Sequence, residues 1–173
     1  PSTHVVEGNR RTSLRQDVHA ELKRRGLACS CIRCREVKNQ MVEPGQLTLK
    51  DLVYRPSRAE EHFISFNTAE NKLAGYVRLS LPAQDAPQLD MPDLKGAALI
   101  REVHVYGQSL GVGIEKSGAA QHIGLGTQLL LEAEKVARAG GFSKLAVIAA
   151  IGTRLYYENR GFERGDLYMV KPI

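Results

Sequence analysis

The stretch Gln121-His122-Ile123-Gly124-Leu125-Gly126 opens directly onto an amphipathic run, and this junction constrains the chain more than any other feature. From Gly126 onward, apolar residues at 129, 130, 133, 136 and 137 share one face of a helix, which Gly140-Gly141 stops. The following run, residues 144–152, is continuously apolar, as a strand buried on both faces is. A glycine turn at a helix N-terminus leaves backbone N–H groups facing outward, and the helix dipole favours an anion there. Spacing excludes two phosphate-binding turns. The dinucleotide fingerprint needs a third glycine where Leu129 stands, and the P-loop needs Gly-Lys-Ser/Thr. The competing reading gives the glycines to close helix–sheet packing.

The rest of the chain reads as an α/β domain with a small appendage, within the reach of 173 residues. Residues 13–26 form a helix, with Ser13 as cap, a Leu14, Val18, Leu22 stripe and Gly26 at its end. Pro44-Gly45 punctuates the chain, and a boundary is expected near residue 40, giving units 1–40 and 41–173. Alternation predicts a strand over 46–56, two strands within 62–82 joined by a turn at Asn67–Lys72, and another strand over 98–107. Residues 82–96, with Pro82, Pro87 and Pro92, are a loop, as is the Gly/Ser-rich run 108–120. A short helix over 153–161, capped by Thr153, and a last strand over 162–173 complete the order.

Charge is concentrated at one end. Residues 1–40 hold nine Lys/Arg and four acidic residues, so they carry the whole net charge of +5. A basic segment on a neutral body suits phosphate backbones, and the bland alternative is a solvated basic helix. Candidate contacts are Arg10, Arg11, Arg15, Lys23, Arg24 and Arg25. No run of about 18 apolar residues and no apolar leader is present, so no membrane partner is expected. The chain begins without Met, which suggests a piece of something longer. Cys29, Cys31 and Cys34 are odd in number and tightly spaced, which argues for a reducing, cytoplasmic setting rather than a disulfide framework. Three thiolates within six residues can fill three corners of a zinc tetrahedron. His19, His4 or a group outside the chain would supply the fourth, and three plain reduced thiols are the alternative.

The glycine junction Gln121-x-x-Gly124-x-Gly126 resembles the pyrophosphate cradle of the GNAT acetyltransferases, which bind coenzyme A. The strand before it, the buried strand after it and Tyr156-Tyr157-Glu158-Asn159-Arg160-Gly161-Phe162 come in GNAT order. The resemblance implies the GNAT fold, a mixed, mostly antiparallel sheet with flanking helices, and the cysteine spacing adds a small N-terminal helical zinc segment. The resemblance implies that acetyl-CoA lies beside Glu102, Val103, His104 and Val105, with its diphosphate over Gln121, His122, Gly124, Leu125, Gly126 and Thr127. It also places Tyr157 against the thioester sulfur as hydrogen-bond donor or acid, with Tyr156 turned about 100° away as a packing or substrate group.

A narrower resemblance rests on Arg101-Glu-Val-His-Val-Tyr-Gly107, Gln121–Gly126, Gly152–Phe162, Tyr168-Met-Val-Lys171, Ser13-Leu-Arg-Gln16 and Cys31-x-x-Cys34-Arg-Glu-Val37. These are similar to the family of Elongator catalytic subunits, which join a radical-SAM domain to a GNAT domain and modify the wobble uridine of tRNA from acetyl-CoA. The implied partners are tRNA, acetyl-CoA and the radical-SAM domain, with a homodimer or Elongator-like assembly as a further expectation. The 4Fe–4S cluster and SAM would belong to that other domain, since Cys-x-Cys-x-x-Cys is not the radical-SAM spacing. Two other functions compete. One is a protein or small-amine N-acetyltransferase, for which Glu102 would serve as base. The other is a zinc-stabilised tRNA-binding module without catalysis.

Overall fold

The computed structural model describes residues 13–38, 40, 42–87, 89–106 and 124–173. Contacts divide the chain into two compact units, Pro1–Arg35 and Glu36–Ile173. The division falls ahead of the expected boundary near residue 40 because Val37 is buried in the second unit. Its N–H donates to the carbonyl of Leu73, and Glu36 bridges to Leu73 in parallel.

In the first unit, α1 (Leu14–Arg24) is followed by a single turn, α2 (Ile32–Arg35). Gly26, with φ of 67°, ends the first helix, and the Leu27 N–H closes back on the Leu22 carbonyl. Ser13 makes no side-chain cap bond, and no α1 residue is buried, so the Leu14, Val18, Leu22 stripe is not a core face.

The second unit is built on a sheet of order β1-β2-β3-β4-β5-β7-β6. Its strands are β1 (Thr48–Tyr54), β2 (Ala59–Asn67), β3 (Leu73–Pro82), β4 (Ala97–Val105), β5 (Lys144–Val147), β6 (Glu163–Arg164) and β7 (Met169–Pro172). All pairs are antiparallel except β4–β5. That one parallel pair needs a crossover, and α3 (Leu125–Ala139) lies within it. The helix packs against β2, β3, β4 and β5. Leu129, Leu130, Ala133 and Ala137 face inward, against Ile64, Leu79, Ile100 and Leu145, while Leu125 joins a second cluster with Val37, Val42 and Ala74. Each large side chain so buried contributes roughly 1.5–3 kcal/mol through lost apolar surface.

Two strand expectations need correcting. The apolar run 144–152 is a strand only to Val147, because both neighbours end their pairing there: Ile100 on β4 and Met169 on β7. Ile148 and Ile151 are exposed, and Ile151–Thr153 form a 3₁₀ turn before α4 (Arg154–Glu158). Thr153 makes no cap bond to that helix; its hydroxyl donates to the Ala150 carbonyl. The last strand over 162–173 is a hairpin, β6–β7, turned at Asp166-Leu167, where the Gly165 N–H donates to the Tyr168 carbonyl.

Asp93 holds that hairpin from across the sheet. Its carboxylate accepts the N–H groups of Leu167 at 2.8 Å and Tyr168 at 3.0 Å. These bonds favour the charged form and hold the carboxyl below the usual aspartate range. A depressed folded-state pKa adds stability above the unfolded value near 3.9, and that stability is lost as pH falls through the folded value. Asp93→Asn should therefore melt several degrees below the parent at pH 7, and the gap should close toward pH 3 in thermal melts. A gap that does not change with pH would assign the loss to packing.

Candidate functional site

The parallel β4–β5 pairing covers only Ala97–Ile100 against Lys144–Val147. Beyond it β4 continues through Arg101–Val105, bonded to β3 on one side and no longer to β5 on the other. The register between β3 and β4 slips there, since Arg78 faces Glu102 while Leu79 faces Ile100. Arg101 is thus the extra residue of a β-bulge, a device that adds twist and re-aims side chains. The two strands open into a wedge, and among the described residues no strand pairs with Arg101–His104 on the β5 side.

The N-terminus of α3 sits at this wedge. Gly124 precedes the helix with φ of 69°, a left-handed conformation suited to glycine, and among the described residues no side chain caps the helix. The first-turn N–H groups therefore remain for a ligand. A Cβ added at Gly126 would collide with the Tyr156 hydroxyl, and its next neighbour would be Val105 Cγ2 at 3.6 Å. Gly126, Val105 and the phenol of Tyr156 thus meet at one point.

The two tyrosines differ from their expected places. Tyr157 is buried in the core, edge-on to Phe162 at 5.4 Å between centroids, and burial pushes its phenol up to about 12. Tyr156 is the one whose hydroxyl reaches the glycine turn, and burial raises its pKa too. Both phenols remain protonated donors at neutral pH. Arg160 braces Tyr156. Its guanidinium carbon lies 3.6 Å from the Tyr156 ring centroid, and its nitrogens donate to the Tyr156 carbonyl at 2.7 Å and the Thr127 hydroxyl at 3.0 Å. Among the described residues no carboxylate pairs with Arg160, so its charge beside the first turn of α3 is available to an anion. Sequence reasoning missed Arg160. Its spacing of four from Tyr156, one helical turn on in the run the sequence marks as helical, was the available signal.

On β4, Val103 and Val105 turn toward the α3 core, while Glu102 and His104 turn to the opposite face of the sheet. Thr127 lies in the first turn of α3 and Leu125 is buried. Gln121 and His122 lie outside the described residues, as do His4, Arg10 and Arg11.

In the first unit, the ligand atoms of Cys29, Cys31 and Cys34 lie within 4.8 Å of one another. His19 Nε2 is 3.5 Å from Cys34 Sγ, so α1 brings an imidazole to the cluster. A hydrogen bond from the Cys34 backbone N–H lowers the Cys31 thiol to about 6, with Cys29 and Arg15 adding to the effect. Arg15 donates to Cys34 Sγ at 3.2 Å. Arg24 and Arg25 both bind the Glu21 carboxylate, at 2.7 Å and 2.6 Å, while Lys23 is exposed.

A sheet opened between two parallel strands, with a crossover helix starting at the opening, defines the GNAT acyltransferase fold. No protein-family model matches the chain. It is 38% identical over 172 residues to a tRNA uridine(34) acetyltransferase of Dehalococcoides mccartyi, covering 97% of this chain and 38% of that protein. It is also 38% identical over 180 residues to Elongator complex protein 3 of Danio rerio, covering 100% of this chain and 32% of that one. The solved archaeal Methanocaldococcus infernus Elp3 superposes with a TM-score of 0.79 at 32% identity, over 100% of this chain and 42% of that one. The chain belongs to the Elongator complex protein 3 family and spans about a third of the length of the curated relatives it matches. Among the described residues no helix is long and apolar enough to cross a membrane.

Proposed function

We propose that this chain is the C-terminal, acetyl-CoA-binding part of a tRNA wobble-uridine acetyltransferase. The observation that carries the reading is the wedge beyond Ile100 and Val147, with the uncapped start of α3 and the Tyr156 hydroxyl at its mouth. When bound, acetyl-CoA supplies the activated acyl group. The N–H groups of Leu125, Gly126 and Thr127, with Arg160, hold the diphosphate, and the helix dipole adds to their attraction. The edge of β4 over Arg101–His104, which pairs with no strand on the β5 side among the described residues, offers backbone partners to amides of the pantetheine arm. Tyr156 Oη keeps its proton at neutral pH and offers it to the departing sulfur, while Tyr157 supports Tyr156 from the core at 5.2 Å between ring centroids. The sulfurs of Cys29, Cys31 and Cys34 and the imidazole of His19 fit a closed zinc site, which would fasten α1 to the segment that follows it. The basic residues of 1–40 serve the tRNA phosphates, with Arg24 and Arg25 sharing Glu21 as an internal counter-charge. Cytoplasmic tRNA and the radical-SAM domain of a longer protein are the proposed partners.

The test is release of free CoA from acetyl-CoA, measured with no acceptor, with tRNA and with a histone peptide. Cleavage stimulated by tRNA alone is expected; stimulation by the peptide alone would favour the amine acetyltransferase. Tyr156→Phe should lower tRNA-dependent release on the order of 10²-fold and leave acetyl-CoA affinity in place, if the phenol gives up a proton. Tyr157→Phe should keep most of the activity. The opposite ranking would return the sulfur-facing role to Tyr157.

A further inference from the structure

The sheet face turned away from α3 carries a row of rings that the acetyl-CoA site does not use. Strand register sets Leu52 opposite Phe63, Phe63 opposite Arg78, Tyr76 opposite His104 and Arg78 opposite Glu102, so all these side chains share that face. Phe63 stacks on Tyr76 at 4.9 Å between centroids, Tyr76 on His104 at 5.9 Å, and His104 meets Tyr106 at 4.5 Å. Tyr76 is buried, whereas His104 is exposed and Tyr106 half-buried. The row therefore ends in two accessible rings, one on β4 beyond its pairing with β5 and one just after the strand.

Beside them stands a fixed acceptor. The Tyr76 hydroxyl donates to Glu102 Oε1 at 2.5 Å. The other carboxylate oxygen is 3.8 Å from Arg78 Nη1, beyond hydrogen-bond length. The carboxylate is thus aimed and still has capacity to accept. Because alternate residues of β4 point to opposite faces, Val105 reaches the glycine turn on one side while Glu102 and His104 look out on the other. A group brought through the wedge would emerge next to this face.

We propose that this face seats a single unpaired uracil base, stacked on His104 and Tyr106, with its N3–H donated to Glu102 and a carbonyl facing Arg78. Flat aromatic side chains are the common seats for unstacked RNA bases, and every base has a face to offer them. The carboxylate supplies the choice. Uracil carries a hydrogen at N3 and suits an acceptor; cytosine carries a lone pair there and meets Glu102 with repulsion. Tyr76 is a positioning residue, holding the carboxylate without touching the base. The assignment rests on the tRNA reading above and adds where on the molecule the base would sit.

The experiment measures binding of this chain to two RNA heptamers, AAAUAAA and AAACAAA, by fluorescence anisotropy. The uracil heptamer should bind about tenfold tighter, the size of a lost hydrogen bond to a charged group. Glu102→Gln should erase that preference, because an amide can donate to one base or accept from the other. Tyr106→Leu should weaken both heptamers on the order of tenfold by removing a stacking ring, and Tyr106→Phe should restore them. With 4-thiouridine at the central position, irradiation should attach the parent chain to the peptide spanning 101–106. This readout needs no variant to fold. Equal affinity for the two heptamers, no binding of either, or crosslinks confined to residues 1–35 would overturn the proposal. In the last case intact tRNA binding by the basic segment would still stand. Conversely, a uracil preference without tRNA-stimulated acetyl-CoA cleavage would retain the seat and remove the enzymatic reading.

Discussion

Gly126→Val should bring acetyl-CoA binding below detection in calorimetry, while circular dichroism and the melting profile stay close to the parent's. The reason is the absence of space. A Cβ at Gly126 already meets the Tyr156 hydroxyl, and Val105 closes the other side at 3.6 Å. Two further methyl groups would occupy the gap between β4 and the first turn of α3. The cost to the fold should be small. Valine in a helix is only a few tenths of a kcal/mol worse than ordinary residues, and the colliding atom is the tip of a side chain that can rotate. Gly124 is the poorer choice for this test. Its φ of 69° would strain any replacement, so loss of binding there would mix a bent turn with a filled one. Undiminished affinity in a folded Gly126→Val protein would remove the cradle assignment.

The second large effect is expected at the cysteines. Protein purified without chelator should carry about one zinc per chain, and Cys31→Ser should lose most of it by elemental analysis. Three sulfurs within 4.8 Å of one another, with His19 beside Cys34, approach a tetrahedral set before any ion is added. The same variant should leave amides of 13–35 exchanging faster, since the short α1 has no buried residue of its own to hold it. Residues 36–173 have a separate core and should keep their melting transition. Metal-free protein with equally protected amides in 13–35 would show that the thiols play no such part. His19→Ala separates the fourth ligand from the rest: partial loss of zinc is expected, and unchanged content would direct attention to His4 or a group beyond this chain.

The sequence marked the long periodic elements well, and for a physical reason. The face of α3 is written in residues 129, 130, 133 and 137, all in the core, and the β2–β3 turn in Asn67–Lys72 closes where its polar residues stand. What a local pattern cannot carry is the behaviour of neighbours. Val147 ends a strand although the apolar run continues, because pairing partners on both sides leave at that point. Tyr156 and Tyr157 are adjacent and alike in the sequence, so only packing against Phe162 and Gly126 separates their directions. Arg160 was hidden for the same reason. Its role follows from contacts with Thr127, 33 positions away in the chain.

The extra residue at Arg101 gives the middle of the chain a reading frame. Upstream of it Ala98 and Ile100 face α3, and downstream Val103 and Val105 do, so the inward positions change from even to odd at that residue. Substituting Arg101 alters one exposed side chain and its ion pair with Glu61. Losing the bulge, with Arg101 drawn into the ladder opposite Arg78, would do something different in kind. Glu102 and His104 would shift into the apolar interior, and the two valines would shift out beside Tyr76. The side chain at this position is therefore of little account; the bulge itself keeps Glu102 and His104 on the face opposite Val103 and Val105.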